Sequence, residues 1–175
     1  MTSAPAAVAP AAAAPSGPAA FRAVMRQHGA GVAVITTWDD GPAGFCATSL
    51  SSVSLDPPMV SFAVAADSGS GRAWRTARPG IVHLLRSDQA DLAVAFARSG
   101  AGKFARPVSW RRGPAGQPLL AGVLAWMLVS TRLRLVAGDH LLVVCDVAEA
   151  HCAAGPGPLI RHGGGFYGLP GPAQP

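Results

Sequence analysis

The sequence predicts a mostly β protein: an antiparallel barrel of six or seven strands with two or three helices packed outside it. Three observations predict this. Apolar, β-branched segments of strand length recur along the chain. Only short helical patterns separate them, without a repeated strand–helix–strand alternation, so a doubly wound parallel sheet does not fit. Tight-turn signals at Asp39-Asp40-Gly41-Pro42 and Ala137-Gly138 join neighbouring segments as hairpins.

The first twenty residues are rich in alanine and proline and carry no charge. Proline blocks a long helix and alanine offers little to bury, so residues 1–20 are expected to be a disordered tail. The folded domain is expected over 21–169, with a second short tail over 170–175. Phe21, Val24, Met25 and His28 recur at helical spacing, and Gly29 is a plausible end to that helix. Residues 31–38 are strand-like and pair with 43–48 across the Asp39–Pro42 turn. Residues 58–65 form another strand, 71–80 a short helix ended by Pro79-Gly80, and 81–86 a strand. Residues 87–100 form a helix with Ser87 or Asp88 as cap, Leu92 and Phe96 one turn apart, and Gly100 beyond its end. The polar segment 101–120 is expected to be irregular, and a loop of that length is usually functional. Two long strands, 121–136 and 139–151, follow, and 158–162 is the last.

Half of the 175 residues are hydrophobic, enough for a core. The formal net charge is +5, carried almost wholly by arginine, with Lys103 the one lysine. The basic residues are scattered. Their densest cluster, Arg106 with Arg111-Arg112 around Trp110, fits a solvated loop better than a nucleic-acid patch. A basic balance also suits ligands that carry phosphates. Cys46, Cys145 and Cys152 are odd in number and lack a C-x-x-C pair, which argues against a disulfide framework and a structural zinc site. No metal site is expected. There is no basic n-region with a continuous apolar h-region, and the longest apolar run, 123–129, is far short of the roughly 20 residues of a membrane span. A cytoplasmic protein is expected, without a membrane or nucleic-acid partner.

Two stretches carry chemistry. Residues 44–58, GFCATSLSSVSLDPP, hold five hydroxyl side chains: Thr48, Ser49, Ser51, Ser52 and Ser54. Gly44 lets backbone approach a neighbour closely. Such a turn offers donors to an acceptor-rich heteroaromatic ring or a phosphate, or is simply a serine-rich crossover. The second stretch, AADSGSGRAW at 65–74, gathers Ser68, Ser70 and Arg72 before a helix, a plausible phosphate cradle. It is not a Walker A loop. Two donor loops at neighbouring strand ends suggest one elongated ligand with a ring end and a phosphate end.

The run FRAVMRQHGAGVAVITTWDDGPAGFCATSLSSVSLDPPMVSF resembles the flavin reductase family, with its FMN-binding split-barrel fold. The resemblance continues in order through DLAVAFA, Lys103-Phe104, PLLAGVLAWM, Gly138-Asp139-His140 and PLIRHGGGFYG, covering about 21–168. It implies a homodimer of six-stranded Greek-key split barrels with flavin near the interface. It implies hydride transfer from NADH or NADPH to FMN or FAD, and delivery of reduced flavin to a partner flavin-dependent monooxygenase. Proximity of the two rings supplies most of such catalysis. By position, Pro42, Ala43, Gly44, Phe45 and Cys46 would run along the flavin ring. Thr48 and Ser49 would meet its polar edge, with Ser51, Ser52 and Ser54 holding the turn's own backbone. Ala63, Val64 and Ala65 would flank the flavin tail, and Ser70 with Arg72 its phosphate. Lys103 and Phe104 would add a phosphate contact and a lid, or merely anchor a loop. Arg161, His162, Gly163 and Gly164 would line the nicotinamide side.

His140 is the candidate catalytic residue, contacting the nicotinamide or stabilising reduced flavin; a His there also suits a turn cap. His83, inside an apolar strand, fits a satisfied core histidine. Trp74 and Trp126 are expected in the core or at a dimer interface. Arg161-His162 and Phe166 depart from the family's usual nicotinamide side, and Met127-Leu128 replace a common Glu-Cys pair. These departures keep open a flavin-binding or carrier protein of the same fold without turnover. A polyanion-binding protein is a third reading, resting only on the basic balance.

Overall fold

The structure, a computed structural model, describes residues 17–100 and 102–169. Of the tails expected over 1–20 and 170–175, residues 1–16 and 170–175 lie outside the described residues, while 18–20 are helical. Helix α1 (Pro18–Met25) carries proline in its first turn, where the missing N–H costs nothing, so it starts ahead of Phe21. Its C-cap is Arg26, not Gly29. Strands β1 (Ala30–Gly31) and β2 (Ala33–Trp38) precede β3 (Pro42–Ala47), which pairs with β2 as the expected hairpin.

The serine-rich run is itself a strand, β4 (Ser51–Leu55), paired with β5 (Pro58–Ala65). Asp56-Pro57 makes the turn between them, so the double proline joins two strands. Helix α2 (Gly69–Trp74) is shorter and earlier than expected, and Pro79-Gly80 opens β6 (Pro79–Leu84). Helix α3 (Ala90–Ala97) starts at Gln89 without a side-chain cap. Ser87 instead donates to the Pro156 carbonyl, and Asp88 pairs with Arg86. The 101–120 segment contains a small hairpin, β7 (Trp110–Arg112) with β8 (Pro118–Leu120). The long strands are β9 (Ala125–Ala137) and β10 (His140–Cys152), followed by β11 (Leu159–His162) and β12 (Gly165–Gly168).

Seven strands form one antiparallel sheet in the order β3-β2-β6-β9-β10-β5-β4. The sheet curls until Phe45 of β3 meets Phe62 of β5, ring centroids 5.9 Å apart, although β3 and β5 are not hydrogen-bonded. This is a split barrel. The implied six strands become seven because β4 extends one edge. Strands β1, β11 and β12 form a separate small sheet.

Strand β2 explains the core. Ala33 and Ile35 point into the barrel, while Val34 points outward to a second cluster with Phe96 of α3. Both faces of β2 are therefore buried, and Ala33-Val34-Ile35 reads as an unbroken apolar run rather than an alternation. Trp74 closes one end of the barrel, edge-on to Phe62 at 4.9 Å and fully buried. The side chains of Thr36 and Thr37, also buried, donate to the Pro118 and Pro79 carbonyls at 2.6 and 2.8 Å. His83 is fully buried: Nδ1 donates to the Val34 carbonyl at 2.9 Å, and Nε2 accepts from Leu120 N–H at 3.1 Å. Burial pushes its imidazole down to about 4, so the ring is neutral at pH 7. Arg112 of the basic cluster lies flat on Trp38, 3.3 Å from the ring centroid.

Candidate functional site

A cleft of about 920 Å³ opens beside the β3 edge of the barrel. Pro42 to Cys46 of β3 form one wall. Ala63, Val64 and Ala65 of β5 form the facing wall. Ser70 and Arg72 of α2 close one end, and Lys103 and Phe104 approach from the long loop. His140 stands at the rim because its backbone pairs with Ala65 across the β5–β10 ladder.

The Gly44 carbonyl ties these elements together. It accepts from Ser70 Oγ at 2.8 Å and from Lys103 Nζ at 3.1 Å. Lys103 also donates to the Phe96 carbonyl at 3.4 Å. Gly44 does permit a close approach, and the structure identifies the neighbours. A Cβ there would sit 2.9 Å from the Phe96 ring and 3.1 Å from the Phe104 ring. Phe96 and Phe104 pack edge-to-face at 5.0 Å, fixing the cleft floor.

Burial pushes the Lys103 ammonium below its usual range, with the nearby Cys46 pulling the other way. Burial raises the Cys46 thiol, against the pull of Arg161 and Lys103. Cys46 is therefore a neutral thiol at pH 7, a small apolar wall rather than a nucleophile. His140 Nδ1 lies 2.7 Å from Asp139 Oδ1, and that hydrogen bond holds the Asp139 carboxyl below its usual range. The pair is exposed, so the contact orients the imidazole more than it strengthens the fold.

The 65–74 loop uses most of its donors on itself. Ser68 accepts from Gly71 N–H at 2.9 Å and donates to the Ala65 carbonyl at 2.8 Å. Arg72 donates to the Asp67 carbonyl at 2.7 Å, which holds its guanidinium along the cleft.

Thr48 and Ser49 do not line the cleft. The Ser49 hydroxyl bonds both the N–H and the carbonyl of Ala63, at 3.0 and 3.2 Å, pinning the β3–β4 turn to the wall strand. Arg161, His162, Gly163 and Gly164 also lie outside it, on the β11–β12 hairpin. There Gly163 N–H donates to the Arg26 carbonyl, and Arg161 lies 4.6 Å over the Phe166 ring. Phe166 of this hairpin and Cys46 of the cleft wall pack against the same apolar cluster. Sequence reasoning missed Asp39 and Asp40, whose turn overhangs the cleft, and Phe96 with the 97–100 segment. A turn signature gives no hint of what the turn overhangs.

The donor set fits a flavin: a long cleft with an apolar aromatic floor, backbone amides along two strands, and Lys103 and Arg72 as cations for a phosphate. Among the described residues no group of His, Cys, Asp and Glu could hold a metal ion, and no helix is long and apolar enough to cross a membrane.

Comparison with known proteins agrees with this geometry. The family model for the flavin reductase like domain matches residues 25–170. An NADH:FMN oxidoreductase of Rhodococcus qingshengii is 41% identical over 152 residues, covering 84% of this chain and 79% of that protein. The reductase subunit of a flavin-dependent monooxygenase from Mycobacterium tuberculosis is 33% identical, covering 87% and 82%. A Streptomyces globisporus NADH:FAD oxidoreductase, solved with NAD and FAD fragments, superposes with a TM-score of 0.84 at 28% identity, covering 89% and 94%. With a family model spanning nearly the whole folded region, this chain belongs to the flavin reductase like domain family.

Proposed function

We infer that this chain is an NAD(P)H:flavin oxidoreductase that reduces FMN or FAD and supplies the reduced flavin to a partner monooxygenase. One observation carries the reading. Residues expected from the sequence to hold flavin, drawn from β3, β5, α2 and the long loop, converge on one cleft with His140 at its rim. The flavin supplies the electron-accepting ring. The chain's work is to seat that ring against Pro42–Cys46, hold its phosphate with Arg72 and Lys103, and keep the exposed face open to a nicotinamide beside His140. Such a reaction needs no strong acid or base; it needs two rings held in contact.

The relatives named above support the partner and the cofactors: one is an NADH:FMN oxidoreductase and another the reductase subunit of a flavin-dependent monooxygenase. A homodimer is supported by α1, which has no buried residue and exposes Phe21, Val24 and Met25. A helix with an uncovered apolar face gains its stability from a partner. NAD(P)H as reductant and three unpaired thiols suit a cytoplasmic setting. The test is anaerobic mixing with NADH or NADPH and free FMN or FAD, following loss of the reduced nicotinamide absorbance. No oxidation above background with any of the four pairs sinks the reading.

A flavin carrier without turnover is favoured by one observation: Arg161 to Gly164 stand outside the cleft. Flavin binding with no NAD(P)H oxidation would select it.

A further inference from the structure

The molecule has a second cavity, of about 390 Å³, within the range of small-molecule sites. It lies at the opposite end of β10 from His140, between the β7–β8 hairpin, the 121–124 turn, and the strand ends at Trp126 and His151. We propose that this cavity binds a small planar aromatic anion, an arene carboxylate.

The walls select the shape. Trp126 and His151 are register partners on β9 and β10 and stack with centroids 4.1 Å apart and planes 17° apart. They present a flat, already ordered surface. Glu149 lies 3.5 Å from His151 Nε2 and helps hold that ring. Trp110 adds a further aromatic wall, and Leu119, Leu120 and Val123 form a buried apolar back. Planar ligands lose little freedom on entering such a slot, whereas puckered rings leave gaps.

The charge selects the sign. Arg111 lines the cavity, is exposed, and has no carboxylate within ion-pair distance among the described residues. Among the described residues its guanidinium makes one hydrogen bond, a 3.3 Å contact to the Arg112 carbonyl. Among the described residues no Asp or Glu lines the cavity. A free guanidinium fork beside apolar aromatic walls matches a carboxylate on an aromatic ring.

The two sites are adjacent but separate. Trp110 packs edge-on against Phe104 at 5.6 Å, and its Nε1 donates to the Phe104 carbonyl at 3.1 Å. Phe104 lines the first cleft and Trp110 the second, so this pair is a partition between them.

The experiment is calorimetric titration of the full chain with naphthoate, with and without saturating FMN. One naphthoate per chain is expected, with FMN still bound. Arg111→Gln and Trp126→Leu should each weaken it roughly tenfold, the loss expected for one charge-assisted bond or one stacking wall. Neutral naphthalenemethanol and puckered cyclohexanecarboxylate should each bind at least about tenfold more weakly than naphthoate. Arg111 is exposed, so its variant leaves folding intact, and unchanged FMN affinity confirms that. Several results overturn the proposal: no binding at millimolar naphthoate, competition with FMN, or indifference to both substitutions. Binding seen only after dilution to monomers would assign the cavity to an interface between copies and overturn it too. If FMN itself fails to bind, the flavin reading falls, while the two substitutions still decide this one.

Discussion

His83 makes a quantitative prediction about stability and pH. The folded state holds its imidazole neutral, down at about 4, against an ordinary value of 6.5. Between those values the unfolded chain binds a proton that the native ring refuses. Stability is therefore full above pH 6.5 and falls as the pH drops toward 4. At roughly 1.4 kcal/mol per pH unit, the complete loss is about 3 kcal/mol, and about 2 kcal/mol is already gone by about pH 5, above the range where most carboxylates titrate. Urea unfolding between pH 7 and 5 measures it directly. His83→Asn keeps a donor for the Val34 carbonyl but leaves Leu120 N–H unpaired. It should start roughly 1–3 kcal/mol less stable at pH 7 and show a flattened slope below it. A wild-type midpoint that stays level from pH 7 to 5 would refute the reasoning. So would an equal slope in the variant.

Other substitutions test the cleft. Gly71→Ala would drive a Cβ into the Ala65 carbonyl and should cost on the order of 1–3 kcal/mol, lowering Tm by several degrees in a thermal scan. Lys103→Met removes a cleft cation and its bonds to the Gly44 and Phe96 carbonyls. FMN affinity should fall roughly tenfold by fluorescence titration. His140→Ala should raise the KM for NADH while leaving FMN affinity nearly unchanged; an equal loss in both would make it a structural residue. Ser49→Ala unpins the β3–β4 turn from Ala63. It should increase amide exchange at Ala63 and weaken FMN indirectly, whereas a Thr48→Val variant alone should keep the native exchange pattern.

The barrel was legible because its long strands carry their burial in their sequence. β5 alternates half-buried and buried residues between its exposed ends, and β10 does so through its first half. β4 escaped notice because it is an edge strand whose residues are mostly exposed, so nothing in Ser51–Leu55 needs to be apolar. β7 and β8 are three residues each, set among glycine and proline, below the length at which periodicity registers. In the site, Pro42–Cys46 and Ala63–Ala65 were placed by family resemblance, and the cleft gathers them. The hydroxyls are hard to read from sequence for a physical reason. A serine that bonds a ligand and a serine that bonds a backbone fourteen residues away have the same local sequence. Only the ladder that brings Ala63 beside Ser49 tells them apart.

The Gly44 carbonyl has a consequence for when the site comes into being. Its two donors lie 26 and 59 residues further along the chain, and the rim histidine comes later still, on the far long strand. A nascent chain on the ribosome cannot assemble this cleft piecemeal. Its first wall must wait for Phe96 and Phe104 to complete the aromatic floor and for His140 to complete the rim. Contacts of this range also slow folding. Competence to hold a ligand should then appear late and all at once during synthesis, and chains truncated before His140 should give no partial binders.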